Sequence, residues 1–176
     1  DRLGKFLPGF VARVMERQRQ AGEPMSPAGP FPIDQQRQLG ERMMTALGFD
    51  FTRGRLDVSL HPFTGGASED VRITTRYDEA DFTQSLMGVL HETGQALYDL
   101  GLPEAWRDQP VGRDRGMALE ESQSLLLEMI VGRSRPFLTY LRPLLEKHFG
   151  VGGPEWEVDN LYRTLARVRR SAIRAD

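Results

Sequence analysis

Apolar residues recur along most of this chain at the three-to-four-residue spacing of a helix, and the interruptions of that rhythm divide it into elements. Phe6, Phe10 and Val14, with Arg17, step along one face of a first helix. Pro24, Pro27, Pro30 and Pro32 then predict a loop over residues 21–33, because prolines so close together remove the backbone donors and freedom that a helix needs. A second helix is expected to start with Asp34 as its N-cap, to present Leu39, Met43 and Leu47, and to stop at Gly48. There the period changes to two. Leu56, Val58 and Leu60 alternate with Asp57 and Ser59, and Val71, Ile73 and Thr75 alternate with Arg72 and Thr74. This predicts two short strands flanking Gly65-Gly66 and paired as an antiparallel ribbon.

Helical spacing then returns. Asp81, with Gln84 three residues on, resembles a capping box, and Leu86, Leu90, Thr93 and Leu97 follow until Gly101 and Pro103. A further helix is expected from Met117 to Val131, ending at Gly132, with Leu125, Leu126, Leu127, Met129 and Ile130 in the core. Ser134 can cap the next, with Pro136 in its first turn and closure near Gly150. The last covers Val158 to Arg170, with Leu161, Leu165 and Val168 inward. The expected fold class is mostly α with a small antiparallel β ribbon, in a single domain over residues 1–176.

Composition narrows the chemistry. A chain of 176 residues that is 39% apolar can bury a real core. A net charge of -2 shows no electrostatic footprint for nucleic acid or an anionic membrane, so neither is an expected partner. The absence of cysteine excludes disulfides, thiolate ligands and a cysteine nucleophile, leaving His, carboxylate or amide oxygen to hold any metal. No apolar run approaches the roughly 18 residues of a membrane span, and the first residues lack a signal-peptide pattern. The cytoplasm is therefore the expected location.

Of three histidines, His61, His91 and His148, one opens the run His91-Glu92-Thr93-Gly94-Gln95 inside the strongest helical segment. Residues 91 and 95 are four apart and leave one face about a turn from each other. Zinc peptidases use this geometry in H-E-x-x-H, with two imidazole ligands and the Glu as a base. Here Gln95 holds the second ligand position. The pentapeptide alone is more simply read as a His and a Gln satisfied by hydrogen bonds on a packed helix.

The wider sequence adds ordered blocks: Gly48 to Phe51, Gly54 to Ser59, His61-Pro62-Phe63, Asp70 to Tyr77, His91 to Tyr98, Glu121 to Ser124 and Val131 to Ser134. In these blocks the chain resembles the M32 family of metallocarboxypeptidases, the carboxypeptidase Taq type, from about Phe31 onward. The resemblance implies a helical, zincin-like catalytic region, and a metal-dependent enzyme that releases C-terminal amino acids from peptide substrates. Carried over residue by residue, it implies His91 and Glu121 as metal ligands, with Gln95 at the remaining ligand position, and Glu92 as general base. His61, Arg72 and Arg174 become substrate-binding residues, and zinc, or cobalt, becomes the expected cofactor.

Three departures open alternatives. Gln95 replaces an imidazole, Glu120 stands where the family's H-E-S block has its histidine, next to the implied ligand Glu121, and the chain is expected to be a fragment or truncated relative of a larger helical peptidase. Hence a second reading: a catalytically inactive relative that keeps the fold as a binding or structural module. A third makes Glu92, Glu120 and Glu121 a carboxylate site for Mg²⁺ or Mn²⁺. Asp70 and Arg72 could also simply pair with each other. Helix faces left without their usual cover would allow a homodimer.

Overall fold

The computed structural model describes residues 2–169. Among the described residues the chain forms six α-helices and a three-stranded sheet that packs on the third of them: α1 (Arg2–Ala21), α2 (Ile33–Leu47), β1 (Gly54–Val58), β2 (Phe63–Ala67), β3 (Asp70–Thr75), α3 (Phe82–Leu100), α4 (Met117–Leu125), α5 (Arg135–Phe149) and α6 (Val158–Leu165). A π-helical segment, Leu126–Val131, continues α4.

Helix α3 is the organising element because its sequence has three different faces. Phe82, Leu86 and Leu90, at successive four-residue steps, enter a cluster with Phe31, Leu39, Met43, Leu141, Leu145 and Trp156. Val89 and Ala96 enter a second cluster with Met44, Phe49 and the sheet residues Leu56, Val71 and Ile73. The third face carries Gln84, Gly88, His91 and Gln95, small or polar residues that line a cavity instead of a core. Two apolar faces fix the helix, and the third is held in place with them.

The ends of the helices follow their expected chemistry in most cases. Asp81 caps α3, its carboxylate accepting from the Thr83 backbone N–H at 2.9 Å. Gln84 donates to that carboxylate at 3.2 Å, so the pair closes side chain to side chain and not as a full capping box. Ser134 caps α5, accepting from Phe137, and Gly48 and Gly150 end α2 and α5 in left-handed conformations. Asp34 is not the cap of α2. The helix begins two residues earlier than expected, with Pro32 at the cap position, and Asp34 lies in its first turn. There the N-terminal end of the helix dipole still favours a carboxylate. Helix α6 ends at Leu165, so Leu161 and Leu165 are buried as expected while Val168 is 39% exposed.

The sheet departs from the expected ribbon. The two foreseen strands are β1 and β3, and they run parallel, Leu56 opposite Ile73. The antiparallel partner of β3 is β2, Phe63-Thr64-Gly65-Gly66-Ala67, which gives the order β1-β3-β2. Between β1 and β2 the chain crosses from one edge of β3 to the other. Thr74 holds that crossing: its hydroxyl lies 2.9 Å from Ser59 Oγ and accepts from the Phe63 N–H at 3.0 Å. Two glycines give β2 a poor strand propensity, which makes it read as a turn. Gly66 has φ +120°, and a Cβ there would stand 2.2 Å from the Asp70 carbonyl oxygen.

Other expectations fail by burial. Leu125, Leu126, Met129 and Ile130 are 42–67% exposed, forming an apolar surface instead of core. Helix α1 buries none of its residues, and Phe6 and Phe10 are 53% and 43% exposed. It is tied at its C-terminal end, where Gln18 exchanges hydrogen bonds with the Val168 backbone and Arg163 donates to the Ala21 carbonyl at 2.7 Å. The proline-rich loop is held by Asn160, which binds both backbone groups of Met25.

Helices α3 and α4 meet most closely at Gly94. A Cβ there would stand 2.6 Å from the Gln123 carbonyl oxygen and 2.7 Å from Ser124 Cα. Both obstacles are backbone, so the smallest side chain pushes the helices apart. Gly94→Ala is expected to destabilise the chain by about 1–3 kcal/mol in urea unfolding, the usual cost of overpacking. Loss below about 0.5 kcal/mol would show that the two helices separate freely.

Candidate metal and catalytic site

That close contact sets Glu121, in the middle of α4, opposite the third face of α3. Glu121 Oε2 lies 3.6 Å from His91 Nε2 and 3.4 Å from Gln95 Nε2. The polar ends of His91 and Gln95, on one helix face, therefore both meet Glu121. They form one wall of a cavity of about 620 Å³, whose other lining residues include Pro62, Phe63, Thr64, Arg76, Gln84 and Glu92. Arg76, donating to Gln84 at 3.3 Å, is its only arginine or lysine among the described residues.

Glu92 is buried beside this group, 6% exposed. Thr64, from the strand that the alternation pattern misses, donates its hydroxyl to Glu92 Oε2 at 2.7 Å and to the Glu92 carbonyl at 3.0 Å. Burial pushes the Glu92 carboxyl above the usual carboxylate range, while the Thr64 hydrogen bond and the neighbouring His91 oppose the shift.

A fifth group, Glu128, had no place in the sequence reading. Its Oε2 lies 3.1 Å from His91 Nδ1, and its Oε1 accepts from Arg133 at 2.6 Å. Burial raises the affinity of Glu128 for its proton, but the bonds from His91 and Arg133 outweigh it and hold the carboxyl below its ordinary range. The signal that could have found it is spacing, since seven residues from Glu121 is two helical turns.

The remaining expected residues lie elsewhere. His61 is exposed and does not line the cavity, although its neighbours Pro62 and Phe63 do. Arg72 is exposed and donates to Asp70 at 2.7 Å, the pairing that was the alternative to a substrate-binding role. Arg174 lies outside the described residues. Glu120 is absent from the cavity wall, so Glu92, Glu120 and Glu121 do not gather there as a carboxylate cage.

The residues present are compatible with a divalent metal. Among the described residues no group of three His, Asp or Glu side chains is arranged to hold one, so His91 and Glu121 reach three donors only with the Gln95 amide. Ligand bonds near 2 Å around a tetrahedral ion place neighbouring donors about 3.3 Å apart, close to the separations found here. A half-turn of the Gln95 amide presents its oxygen in place of its nitrogen.

The comparisons with known proteins decide the family. All of residues 1–176 match the Carboxypeptidase Taq (M32) metallopeptidase family. The chain belongs to this family. It is 43% identical over 176 residues to thermostable carboxypeptidase 1 of Pyrococcus furiosus, covering 99% of this chain and 35% of that protein. Thermostable carboxypeptidase 1 of Thermus thermophilus is 36% identical over 148 residues, 84% of this chain and 29% of its own length. The structure of Trypanosoma cruzi metallocarboxypeptidase 1 superposes with a TM-score of 0.93 at 42% identity, covering 97% of this chain and 35% of that one. This M32 chain thus spans about a third of the length of the relatives it matches. The mostly helical class holds, and among the described residues no helix is long and apolar enough to cross a membrane.

The metal-free chain has a pH signature. The Glu128 hydrogen bond raises the His91 pKa above its ordinary 6.5 against burial, with further help from the charges of Glu92, Glu121 and Glu128. A pKa raised on folding stabilises the protein below the unfolded value, and that stability is lost as pH rises through the folded value. Urea melts of chelator-treated protein should show stability falling from about pH 6.5 upward. His91→Gln should flatten this limb. A variant that retains the full decline would remove His91 as its cause.

Proposed function

We propose that this M32 chain carries the metal centre and general base of a carboxypeptidase that releases C-terminal amino acids from peptides. The observation that carries the reading is the convergence of His91 and Gln95 on Glu121 with the buried Glu92 carboxyl beside them. His91, Glu121 and the oxygen of Gln95 would hold the metal, zinc or cobalt. Such an ion supplies Lewis acidity toward a peptide carbonyl and toward water.

The chain's own groups supply the rest. Glu92, with its raised proton affinity, takes a proton from the attacking water and passes it to the departing amine. Thr64 fixes which carboxylate oxygen faces the cavity by occupying Oε2. The peptide lies along the outer edge of β2, a terminal strand of the sheet, whose Phe63 and Thr64 line the cavity. Arg76 provides the positive charge on that wall. The homodimer and the cytoplasmic setting belong to the same proposal, the first supported by the apolar surface at Leu125, Leu126, Met129 and Ile130.

One observation favours a second reading. The Gln95 amide donates to Glu121, so this carboxylate has a partner without any ion. In that reading the site persists as a hydrogen-bonded cluster in a catalytically inactive relative, because a neutral amide is a poorer zinc donor than imidazole.

Calorimetric titration of the metal-stripped chain with Zn²⁺ and Co²⁺, followed by assay on a short N-blocked peptide, tests both. Weak binding is expected, abolished by His91→Ala and by Glu121→Ala and strengthened at least about tenfold by Gln95→His. Unchanged binding in either alanine variant would overturn the ligand assignment. Release of C-terminal residues that Glu92→Gln suppresses supports the enzyme. Tight metal binding by Gln95→His without any release supports the inactive relative.

A further inference from the structure

The histidine at the centre of this site faces two carboxylates, one on each ring nitrogen. Glu128 Oε2 is 3.1 Å from Nδ1, whereas Glu121 Oε2 is 3.6 Å from Nε2. A neutral imidazole has one proton to share between them. The nearer acceptor wins it, which leaves the Nε2 lone pair on the side of Glu121 and Gln95. The reverse tautomer would set the Nδ1 lone pair against an oxygen at hydrogen-bond distance, the less favourable arrangement.

Glu128 is itself anchored. Its second oxygen accepts from Arg133 Nη2 at 2.6 Å, and Arg133 Nη1 donates to the Leu165 carbonyl at 3.1 Å, at the end of α6. The side chains of Glu128, His91 and Arg133 are 18%, 21% and 26% exposed, so water has limited access to replace any of them. Glu128 lies in the π-helical segment after α4, where Gly132 N–H bonds to the Leu127 carbonyl at 2.8 Å across the wider turn. The connection thus runs from α6 through Arg133 and Glu128 to the ring of His91 on α3.

We infer that Glu128, held by Arg133, is a positioning residue that fixes His91 as its Nδ1–H tautomer and keeps Nε2 free toward Glu121 and Gln95. Its consequence for metal affinity rests on the proposed role of His91 as a donor, but the tautomer does not. A carboxylate behind a ligating imidazole changes metal affinity by about 10–100-fold in general, through orientation and basicity.

The test uses the full chain, stripped of metal and labelled with ¹⁵N in histidine. Long-range ¹H–¹⁵N correlation, at a pH where the His91 ring shifts show it neutral, should give a protonated Nδ1 and an unprotonated Nε2. Glu128→Gln should shift the ring toward a mixture of tautomers and weaken Zn²⁺ binding about tenfold or more in calorimetric titration. If Glu128→Gln fails to fold, Arg133→Met should produce the same tautomer change while leaving the carboxylate in the chain. A purely structural role for Glu128 would lower the melting temperature without moving the tautomer. An Nε2–H ring in the wild-type chain, or an unchanged ring in a folded variant, overturns the inference. A wild-type chain that takes up no zinc but loses its Nδ1–H preference in Glu128→Gln upholds the positioning and sinks the metal reading instead.

Discussion

The site exists because two helices can touch backbone to backbone. Gly94 has no side chain, and the space a Cβ would occupy is filled by the Gln123 carbonyl and Ser124 Cα of α4. This contact sets the height at which Glu121 faces His91 and Gln95, and donor separations of 3.4–3.6 Å follow from it. It also explains the internal glycine of His91-Glu92-Thr93-Gly94-Gln95, which helix propensity alone disfavours by about 1 kcal/mol relative to alanine. The two hydrophobic clusters on the other faces of α3 keep the helix from rotating to relieve the crowding.

Around that contact, three carboxylates sit in different surroundings. Glu92 is enclosed between α3 and β2, with a threonine hydroxyl as its side-chain donor, and burial makes it hold its proton more tightly. Glu128 is similarly enclosed but faces His91 and Arg133, and it gives its proton up more easily. Glu121 is 46% exposed at its side chain and meets the polar ends of α3 directly. The roles proposed for them, base, orienting group and metal donor, thus fall on three different environments of one residue type.

Much of this was legible in the residues. Helical spacing located α3, α4 and α5, and the four-residue interval from His91 to Gln95 placed both on the cavity face. What the sequence hid were interactions that periodicity and propensity do not report. Phe63 to Ala67 carries two glycines where a strand usually carries branched or aromatic residues, and only pairing with β3 makes it one. Thr64 could not be connected to Glu92 before that strand was known. The parallel pairing of β1 and β3 depends on the Thr74-held crossing, which alternation cannot express. Leu125, Leu126, Met129 and Ile130 have core composition and an exposed position, because hydrophobicity reports a wish for burial and says nothing of whether a neighbour supplies it. Glu128 stood at a legible spacing, but its importance comes from Arg133, which reaches across to α6.

The central claim is that a metal here would meet one imidazole and oxygen donors from two adjoining helices. Zinc K-edge X-ray absorption of the metal-loaded chain measures this most directly, because the outer-shell scattering of imidazole counts the histidines bound. The account predicts one imidazole per zinc, with oxygen donors completing a first shell near 2.0–2.1 Å. Two or more imidazoles per zinc, or a shell of oxygen alone, would contradict it.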